Sequence, residues 1–358
     1  MAAPLRRVRA HHTGARLNRQ VDAAEPRKVS VDKTVCEKIL SGDKRAVAKL
    51  ITAVENEPGK CEAVMDSLFS HSLAAHRIGI TGPPGSGKST LVDALTVSIR
   101  RKKPTSSVGI IAIDPSSPFT HGALLGDRIR MKRIGLDENV FIRSMATRGA
   151  LGGLCAAASD AADILAASGK EVVMVETVGV GQSEVEIAQI SDTCVVVFCP
   201  GTGDAIQTLK AGLMEIGEVF VINKSDLEGA DRFLLDVRAT LELREREKGD
   251  WEPPVIKTVA TEEQGIDELL KEIERHRDYL SFGDRLKDKR VEAVAKKIRG
   301  LVRNTLESSL YTPDEGDQLR TLSESVLSGK VTPHQAARKV IERIRGGRQW
   351  AIGNRMKR

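Results

Sequence analysis

A glycine-rich octapeptide is the sequence feature with the most specific chemistry. Residues 82–89 read GPPGSGKS and fit the pattern GxxxxGK[ST], after the apolar run Ile78–Thr81 and before a helical stretch from Thr90. Glycines let backbone N–H groups close around phosphates at a helix N-terminus. In this pattern the Lys88 ammonium reaches the β- and γ-phosphates, and the Ser89 hydroxyl binds Mg²⁺. The predicted phosphate-binding residues are Gly82, Pro83, Pro84, Gly85, Ser86, Gly87, Lys88, Ser89 and Thr90.

A second candidate site follows a later apolar run. Residues 223–226 read NKSD, fit the pattern NKxD and come directly after Val219–Ile222. The Asp226 carboxylate accepts from the two donors of guanine, whereas adenine N1 would set a lone pair against it. The run Val255–Thr258 leads into a segment whose backbone groups are expected to close over the base. The sequence therefore predicts a site for GTP or GDP built from Asn223, Lys224, Asp226, Val259, Ala260 and Thr261.

Acidic residues after other apolar runs are candidates for the metal and the γ-phosphate. Asp114 follows one run and can hold Mg²⁺, although a helix-cap role stays open. The segment ETVG, residues 176–179, follows the apolar run Val172–Val175. The Gly179 N–H can donate to the γ-phosphate, and Glu176 can act on the metal or on the attacking water. Asp127 can fold back on the metal or be a solvated acid. The predicted catalytic residues are Lys88, Glu176 and Asp127, and the predicted metal ligands are Ser89, Asp114, Asp127 and Glu176.

Two further segments carry candidate switch or partner residues. Arg130 lies in LLGDRIRM, residues 124–131. The loop PGTGDAIQTLK, residues 200–210, follows another apolar run and places Asp204, Gln207 and Lys210 at i, i+3 and i+6 spacing. The alternative interpretation is a solvated helix start, with Asp204 complementing the helix dipole.

Alternating strands and helices must position these residues. Continuous β-branched runs are typical of strands buried on both faces, and their alternation with helices predicts an α/β fold with a doubly wound, mostly parallel sheet. Such folds bind ligands at the carboxyl edge of the sheet. The predicted strands are Ile78–Thr81, Val108–Ile113, Val140–Ile142, Val172–Val175, Thr193–Cys199, Val219–Ile222 and Val255–Thr258, and the predicted helices between them include Thr90–Arg101, Leu154–Ser168 and Arg232–Arg246.

Helical segments flank the predicted sheet. Residues 31–73 are predicted as helices because Leu40, Val47, Leu50 and Ile51 fall at helical spacing. After Gly265 the chain is helical and charged, which predicts an arm that buries its apolar stripe against another chain. The predicted divisions are a basic disordered arm over 1–30, an N-terminal helical extension over 31–74, a P-loop GTPase domain over 75–275 and a C-terminal helical dimerisation arm over 276–358.

Composition and charge limit the other classes of function. The 358 residues are 41% hydrophobic and only 3% aromatic, which indicates an aliphatic core, and no apolar run approaches the ~20 residues of a membrane span. Five cysteines without a CxxC pair argue for a reducing compartment. Of the net charge of +6, the first thirty residues contribute seven basic and two acidic side chains, and residues 338–358 contribute eight and one. A nucleic-acid partner has little support, because no aromatic residues on which bases could stack accompany this positive charge.

The N-terminus is rich in arginine and has no acidic residue before Asp22. This composition suits either a mitochondrial transit peptide or a bacterial arm. The predicted location is therefore the bacterial cytoplasm, or the mitochondrial matrix in a eukaryote.

Taken together, the motifs resemble those of the MeaB/ArgK family of GTPases. The matching stretches run from about residue 34 to about 345 and include GITGPPGSGKSTL (79–91), IDPSSP (113–118), VETVGVGQSE (175–184), GLMEIGEVFVINKSD (212–226) and LSGKVTPHQAA (327–337). ETVGVGQSE and DPSSP are specific to the family, whereas the P-loop is not. The segment Ser144–Arg148 departs from the family pattern. This difference bears on which partner the protein binds and not on its nucleotide chemistry.

The resemblance implies properties that composition and spacing do not show. It implies a homodimer built through the C-terminal helices, GTP/GDP and Mg²⁺ as cofactors, and slow GTP hydrolysis that a partner accelerates. The implied partner is an adenosylcobalamin-dependent acyl-CoA mutase similar to methylmalonyl-CoA mutase, whose cobalamin delivery the protein gates and which it protects. The loop with Asp204, Gln207 and Lys210 would be an additional switch.

Three other interpretations compete with this one. A nickel-insertion GTPase normally carries a Cys/His cluster, whereas the cysteines here are dispersed and His11–His12 is an isolated pair. A protein kinase of the ArgK type lacks support because no HRD catalytic-loop signature is present. A non-enzymatic scaffold would have no need of Lys88, Ser89 and Glu176 together.

Overall fold

Seven strands form one parallel sheet in the computed structural model, which describes residues 33–114, 131, 133–146, 153–177, 179, 183–201, 212–244, 247, 249–308 and 313–342. The described strands are β1 (His76–Thr81), β2 (Val108–Asp114), β3 (Val140–Ala146), β4 (Val172–Glu176), β5 (Thr193–Phe198), β6 (Val219–Asn223) and β7 (Val255–Thr258). They lie in the order β3-β2-β4-β1-β5-β6-β7. Strands β2, β3 and β4 lie on one side of β1, and β5, β6 and β7 lie on the other side. This reversal of direction at β1 confirms the predicted doubly wound fold.

Helices cover both faces of this sheet. In chain order they are α1 (Lys33–Leu40), α2 (Lys44–Asn56), α3 (Pro58–Leu68), α4 (Lys88–Lys102), α5 (Gly153–Ala167), α6 (Ser183–Glu186), α7 (Leu213–Ile216), α8 (Ala230–Glu242), α9 (Ile266–Ser281), α10 (Arg285–Ser308), α11 (Pro313–Leu327) and α12 (333–342). One apolar core lies between the sheet and helices α4 and α9, and the other between the sheet and helices α5, α8 and α1–α3. Each large aliphatic side chain buried there contributes about 1.5–3 kcal/mol.

Close contact between α5 and β2 depends on small residues. A Cβ on Gly109 of β2 would lie 2.9 Å from Leu165 Cδ1 of α5. The α5 sequence GLCAAASDAADILAA is rich in alanine, so the helix approaches the sheet closely. The strand residues and the short side chains of α5 therefore pack closely on this face of the sheet.

The N-terminal helices form part of the second core. Asp43 caps α2, because its Oδ1 accepts from the backbone N–H groups of Arg45 and Ala46 at 2.8 Å. Val47, Leu50 and Ile51 are buried as their spacing predicts. Leu40 is an exception: it is exposed, and its neighbour Ile39 enters the core instead. The short α1 ends at Leu40, so the helical periodicity does not continue from α2 back to this position.

The C-terminal helices begin as part of the sheet domain. The predicted division between residues 275 and 276 falls inside α9, whose His276 and Leu280 are buried, so the domain limits stay a prediction. α10 carries exposed apolar side chains, Val291, Val294, Ile298, Leu301 and Val302. None of the helices that the structure describes is both long and apolar enough to cross a membrane.

Candidate functional site

The segment from 82 to 89 turns sharply from β1 into α4. Gly82, Gly85 and Gly87 have φ angles of +138°, +77° and +90°, a region that side chains rarely adopt. At Gly82 the space also requires glycine, because a Cβ there would lie 2.0 Å from the Val197 carbonyl oxygen. α4 begins at Lys88, two residues before the predicted start. The helix N-terminus therefore opens onto the loop and forms a concavity that can bind an anion.

The Lys88 side chain is buried and spans this loop. Its Nζ donates to the carbonyl oxygens of Gly82 at 2.8 Å and Pro83 at 3.0 Å. Gly179, from the segment after β4, lies against it with a φ of +95°, and a Cβ on Gly179 would lie 2.6 Å from Lys88 Nζ. The predicted γ-phosphate glycine and the predicted phosphate lysine are therefore neighbours, and any side chain at 179 would displace the ammonium.

Ser89 and Glu176 meet where the central strands end. Glu176 is the last residue of β4, which pairs with β1 and β2. Ser89 Oγ donates to Glu176 Oε1 at 2.6 Å, and both residues are buried. A hydroxyl and a carboxylate are the oxygen ligands that Mg²⁺ prefers. Asp114 ends the neighbouring strand β2, one residue later than predicted; its side chain lies outside the described part of the structure.

Asn223 connects the phosphate loop to the loop after β7. Its Nδ2 donates to the Ser86 carbonyl oxygen at 2.8 Å. Its Oδ1 accepts from the Thr258 hydroxyl at 3.1 Å and from the Ala260 backbone N–H at 3.2 Å. The side chain is buried, so these bonds are not in competition with solvent. Asn223 therefore acts as a brace between two loops that come from strands on opposite sides of β5.

The residues after Asn223 turn toward the same loop. Lys224 has a positive φ of 56°, and its Nζ donates to the Gly85 carbonyl oxygen at 2.8 Å. The Ser225 backbone N–H donates to the Thr258 carbonyl oxygen at 3.0 Å. Asp226 is exposed, so its carboxylate is accessible to a ligand. The segment Val259–Thr261 follows β7 directly, as predicted.

Some contributing residues were not predicted from the sequence. The Thr258 hydroxyl orients Asn223, and the Thr177 hydroxyl donates to Thr81 Oγ1 at 3.0 Å, which joins the end of β1 to the residue after β4. A threonine at the end of a strand was the available signal, but it has no diagnostic spacing. The predicted residues Asp127, Arg130, Asp204, Gln207 and Lys210 lie outside the described residues.

No cluster of three or more His, Cys, Asp or Glu side chains that could hold a metal occurs within the described ranges. The predicted magnesium site includes Ser89, Asp127 and the side chain of Asp114, so this observation does not test it. Of that set, the described part of the chain brings Ser89 and Glu176 together.

A parallel sheet with a P-loop after its central strand, and an NKxD segment two strands away, defines the class of P-loop GTPases. Residues 47–315 match the family model described as methylmalonyl Co-A mutase-associated GTPase MeaB. The chain belongs to the MeaB family, as the sequence resemblance predicts, and it is an enzyme that hydrolyses GTP.

Relatives and a solved structure agree with this assignment. A protein of Pyrococcus horikoshii, provisionally named a GTPase, is 48% identical over 316 residues, which cover 87% of this chain and 97% of the relative. GTPase ArgK of Escherichia coli is 31% identical over 315 residues, with 86% and 95% covered. A mouse protein named methylmalonic aciduria type A homolog, mitochondrial, is 31% identical, with 84% and 76% covered. A crystal structure described as LAO/AO transport system kinase superposes with a TM-score of 0.66 at 26% identity, covering 87% of this chain and 97% of that one.

Proposed function

We propose that this GTPase serves an adenosylcobalamin-dependent acyl-CoA mutase, gates the delivery of cobalamin to it and protects it from inactivation. The observation that carries the proposal is the match of residues 47–315 to a family described as associated with methylmalonyl-CoA mutase. The mouse relative, named for methylmalonic aciduria, supports the same class of partner.

In this proposal GTP lies along the carboxyl edge of the sheet. The backbone of residues 82–89 and the Lys88 ammonium hold the phosphates, and Gly179 donates to the γ-phosphate. Asp226 selects guanine, while Lys224 and Val259–Thr261 enclose the base. The support is the Asn223 brace, which fixes the base segment and the phosphate segment relative to each other.

Ser89 and Glu176 would hold Mg²⁺, with Asp114 and Asp127 as further ligands. Their contact at 2.6 Å brings a hydroxyl and a carboxylate to one point, and this donor set fits a hard divalent cation. When bound, the ion would neutralise charge that develops on the phosphate oxygens. Lys88, the residue before Ser89, adds a positive charge to the phosphate loop, and Glu176 orients the Ser89 hydroxyl.

The proposed assembly is a homodimer formed through residues after about 280. The support is the exposed apolar row of α10, which includes Ile298, Leu301 and Val302. Such a row is costly in water and is typical of an interface. The loop over residues 200–210 would then transmit the nucleotide state to the mutase.

The proposal is tested by GTP turnover with and without purified methylmalonyl-CoA mutase. We expect the mutase to accelerate phosphate release, and a pull-down to capture the complex in a nucleotide-dependent way. The Lys88→Ala variant controls for contaminating GTPases. Equal turnover with and without the mutase, or transfer of the γ-phosphate to a protein instead of to water, would contradict it.

A further inference from the structure

A group of ion pairs lies beside Val259–Thr261, the segment that we propose encloses the base. These ion pairs join it to α4 and to Arg133, between β2 and β3. The segment Val259–Gln264 is a tight loop, closed by backbone hydrogen bonds between Val259 and Gln264 in both directions. Glu263 in this loop has a positive φ of 58°, which a residue with a side chain adopts only when its surroundings enforce it. The side-chain contacts of Glu263 therefore bear directly on the shape of the loop.

Two arginines hold the Glu263 carboxylate from different elements. Arg101, near the end of α4, donates to Oε2 at 2.9 Å. Arg133, which lies between β2 and β3, donates to Oε1 at 2.6 Å. Both contacts lower the pKa of Glu263, with Arg101 as the larger cause. The carboxylate is therefore ionised at neutral pH and fixed at both of its oxygens.

Arg133 makes a second contact, which ties the Val259–Gln264 loop to α4, the P-loop helix that begins at Lys88. Its Nε donates to Asp93 Oδ2 at 2.7 Å, and this bond is the main cause that raises the pKa of Arg133. Asp93 lies in α4, five residues after Lys88, and is buried. Its Oδ1 is also buried and has no hydrogen-bond partner among the described residues. Removing Arg133 would therefore leave a buried carboxylate without its charge partner, which is costly.

We propose that Arg133 is a positioning residue for guanine selection, because it fixes the Val259–Gln264 loop to the P-loop helix through Glu263 and Asp93. This inference rests on the proposed function, in which the backbone of Val259–Thr261 encloses the base. Arg133 does not touch the nucleotide; it acts through the loop.

The test is the affinity of the full chain for GDP and ADP in Arg133→Ala and Glu263→Gln. We expect GDP affinity to fall about three- to tenfold in both variants while ADP affinity changes less than about twofold, so that discrimination decreases. A merely structural role would lower the melting temperature and weaken both nucleotides equally. The Glu263→Gln variant keeps the shape of the side chain, so it remains informative if Arg133→Ala does not fold.

Lys102→Ala is the matched control. Lys102 pairs with Glu274, so it also links α4 to α9, but it has no contact with the loop. We expect this variant to keep the wild-type ratio of the two affinities. Unchanged ratios in both test variants, or an equal decrease in Lys102→Ala, would overturn the inference. Equal affinities for GDP and ADP in the wild type would instead overturn the proposed function itself.

Discussion

At the carboxyl edge of the sheet, Lys88 donates to the carbonyl groups of its own loop, and glycine backbone provides the anion-binding concavity. At the amino edge, acidic and basic side chains neutralise each other. Arg290 of α10 donates to both carboxylate oxygens of Asp192 at 2.9 Å, and Lys289 pairs with Glu218 at 2.6 Å. Lys297 pairs with Asp163 at 2.8 Å.

The two edges of the sheet therefore have different roles: the carboxyl edge holds the proposed nucleotide site, and the amino edge attaches α10 to the sheet domain. Ion pairs at the amino edge hold α10 to the sheet domain through groups that the protein itself supplies. At the carboxyl edge the chain offers the backbone of the glycine-rich loop and the ammonium groups of Lys88 and Lys224, which donate to carbonyl oxygens of that loop. Changes at one edge should therefore affect nucleotide chemistry, and changes at the other should affect stability.

The largest effect is expected at the carboxyl edge, for Lys88→Ala. GTP turnover should fall at least about a hundredfold, because the loop would lose the cation that we propose binds the β- and γ-phosphates. Phosphate release under single-turnover conditions measures this. Exposed Lys102 in the same helix supplies the control, and Lys102→Ala should turn over GTP at the wild-type rate. A fully active Lys88→Ala would show that the site is not catalytic.

A change at the amino edge should have the opposite profile. Arg290→Ala leaves the buried Asp192 carboxylate without its charge partner. The free energy of unfolding should fall by about 2–4 kcal/mol, less than for a fully buried pair because Arg290 is partly exposed. GDP affinity should stay within about twofold. Denaturant titration and nucleotide binding measure the two quantities.

Arg299→Ala, in the same helix, is the control for this prediction. Arg299 is exposed and has no ion pair among the described residues, so its removal should be nearly neutral. A loss of GDP affinity in Arg290→Ala equal to its loss of stability would argue that the two edges are not separable.

Asn223→Ala should affect both quantities, because this residue joins two loops. Losing its buried hydrogen bonds should lower the free energy of unfolding by about 1–3 kcal/mol. GDP affinity should also fall, by about tenfold, since the base segment and the phosphate segment are no longer held together. Ser225→Ala, two residues further along the same turn, should change neither quantity. Normal GDP affinity in Asn223→Ala would remove the support that the brace gives to the proposed site.

Stability should also depend on pH, through two histidines at the amino edge. His76 Nε2 and His276 Nδ1 both contact the Thr193 hydroxyl, at 2.9 and 2.8 Å. Burial lowers the pKa of His76 to about 4 and that of His276 to about 3. Lys289 disfavours the charged form of both rings, and Asp192 favours it.

Both pKa values are lower in the folded state than the usual value of 6.5, so the unfolded chain binds more protons in acid. Stability should be fully present above about pH 6.5 and decrease as the pH falls toward 4, by up to about 1.4 kcal/mol per pH unit for each histidine. Urea titrations at several pH values measure the slope. His276→Asn should make it shallower, and an unchanged slope would count against this interpretation.

The carboxyl edge could be predicted from the sequence to a large extent. GPPGSGKS and NKSD are local motifs that can be read directly from the sequence. Ser89 follows β1 and Glu176 ends β4, and parallel strands bring their carboxyl ends to one edge of the sheet, so these two residues are expected to lie close together. The strands β1 and β3 are longer than predicted, because His76 and Arg77 in β1 and Arg143 and Ser144 in β3 are polar and interrupt the apolar runs.

The ion pairs and the brace could not be predicted in the same way. Arg133 and Glu263 lie 130 residues apart, and Asn223 and Ser86 lie 137 apart. No local pattern marks either pair, since charged residues are frequent throughout the chain. Asn223 was predicted as part of the base site, but its bonds to Ser86, Thr258 and Ala260 depend on the packing of three strands.

The most direct test of the two-edge account is amide hydrogen exchange with no nucleotide, with GDP and with ADP. We predict that GDP protects peptides containing residues 82–89, 223–226 and 259–261, that ADP at the same concentration protects them far less, and that peptides around Asp192, Glu218 and Arg290 stay unchanged in all three samples. Protection centred on the amino-edge peptides, or equal protection by GDP and ADP, would contradict the account.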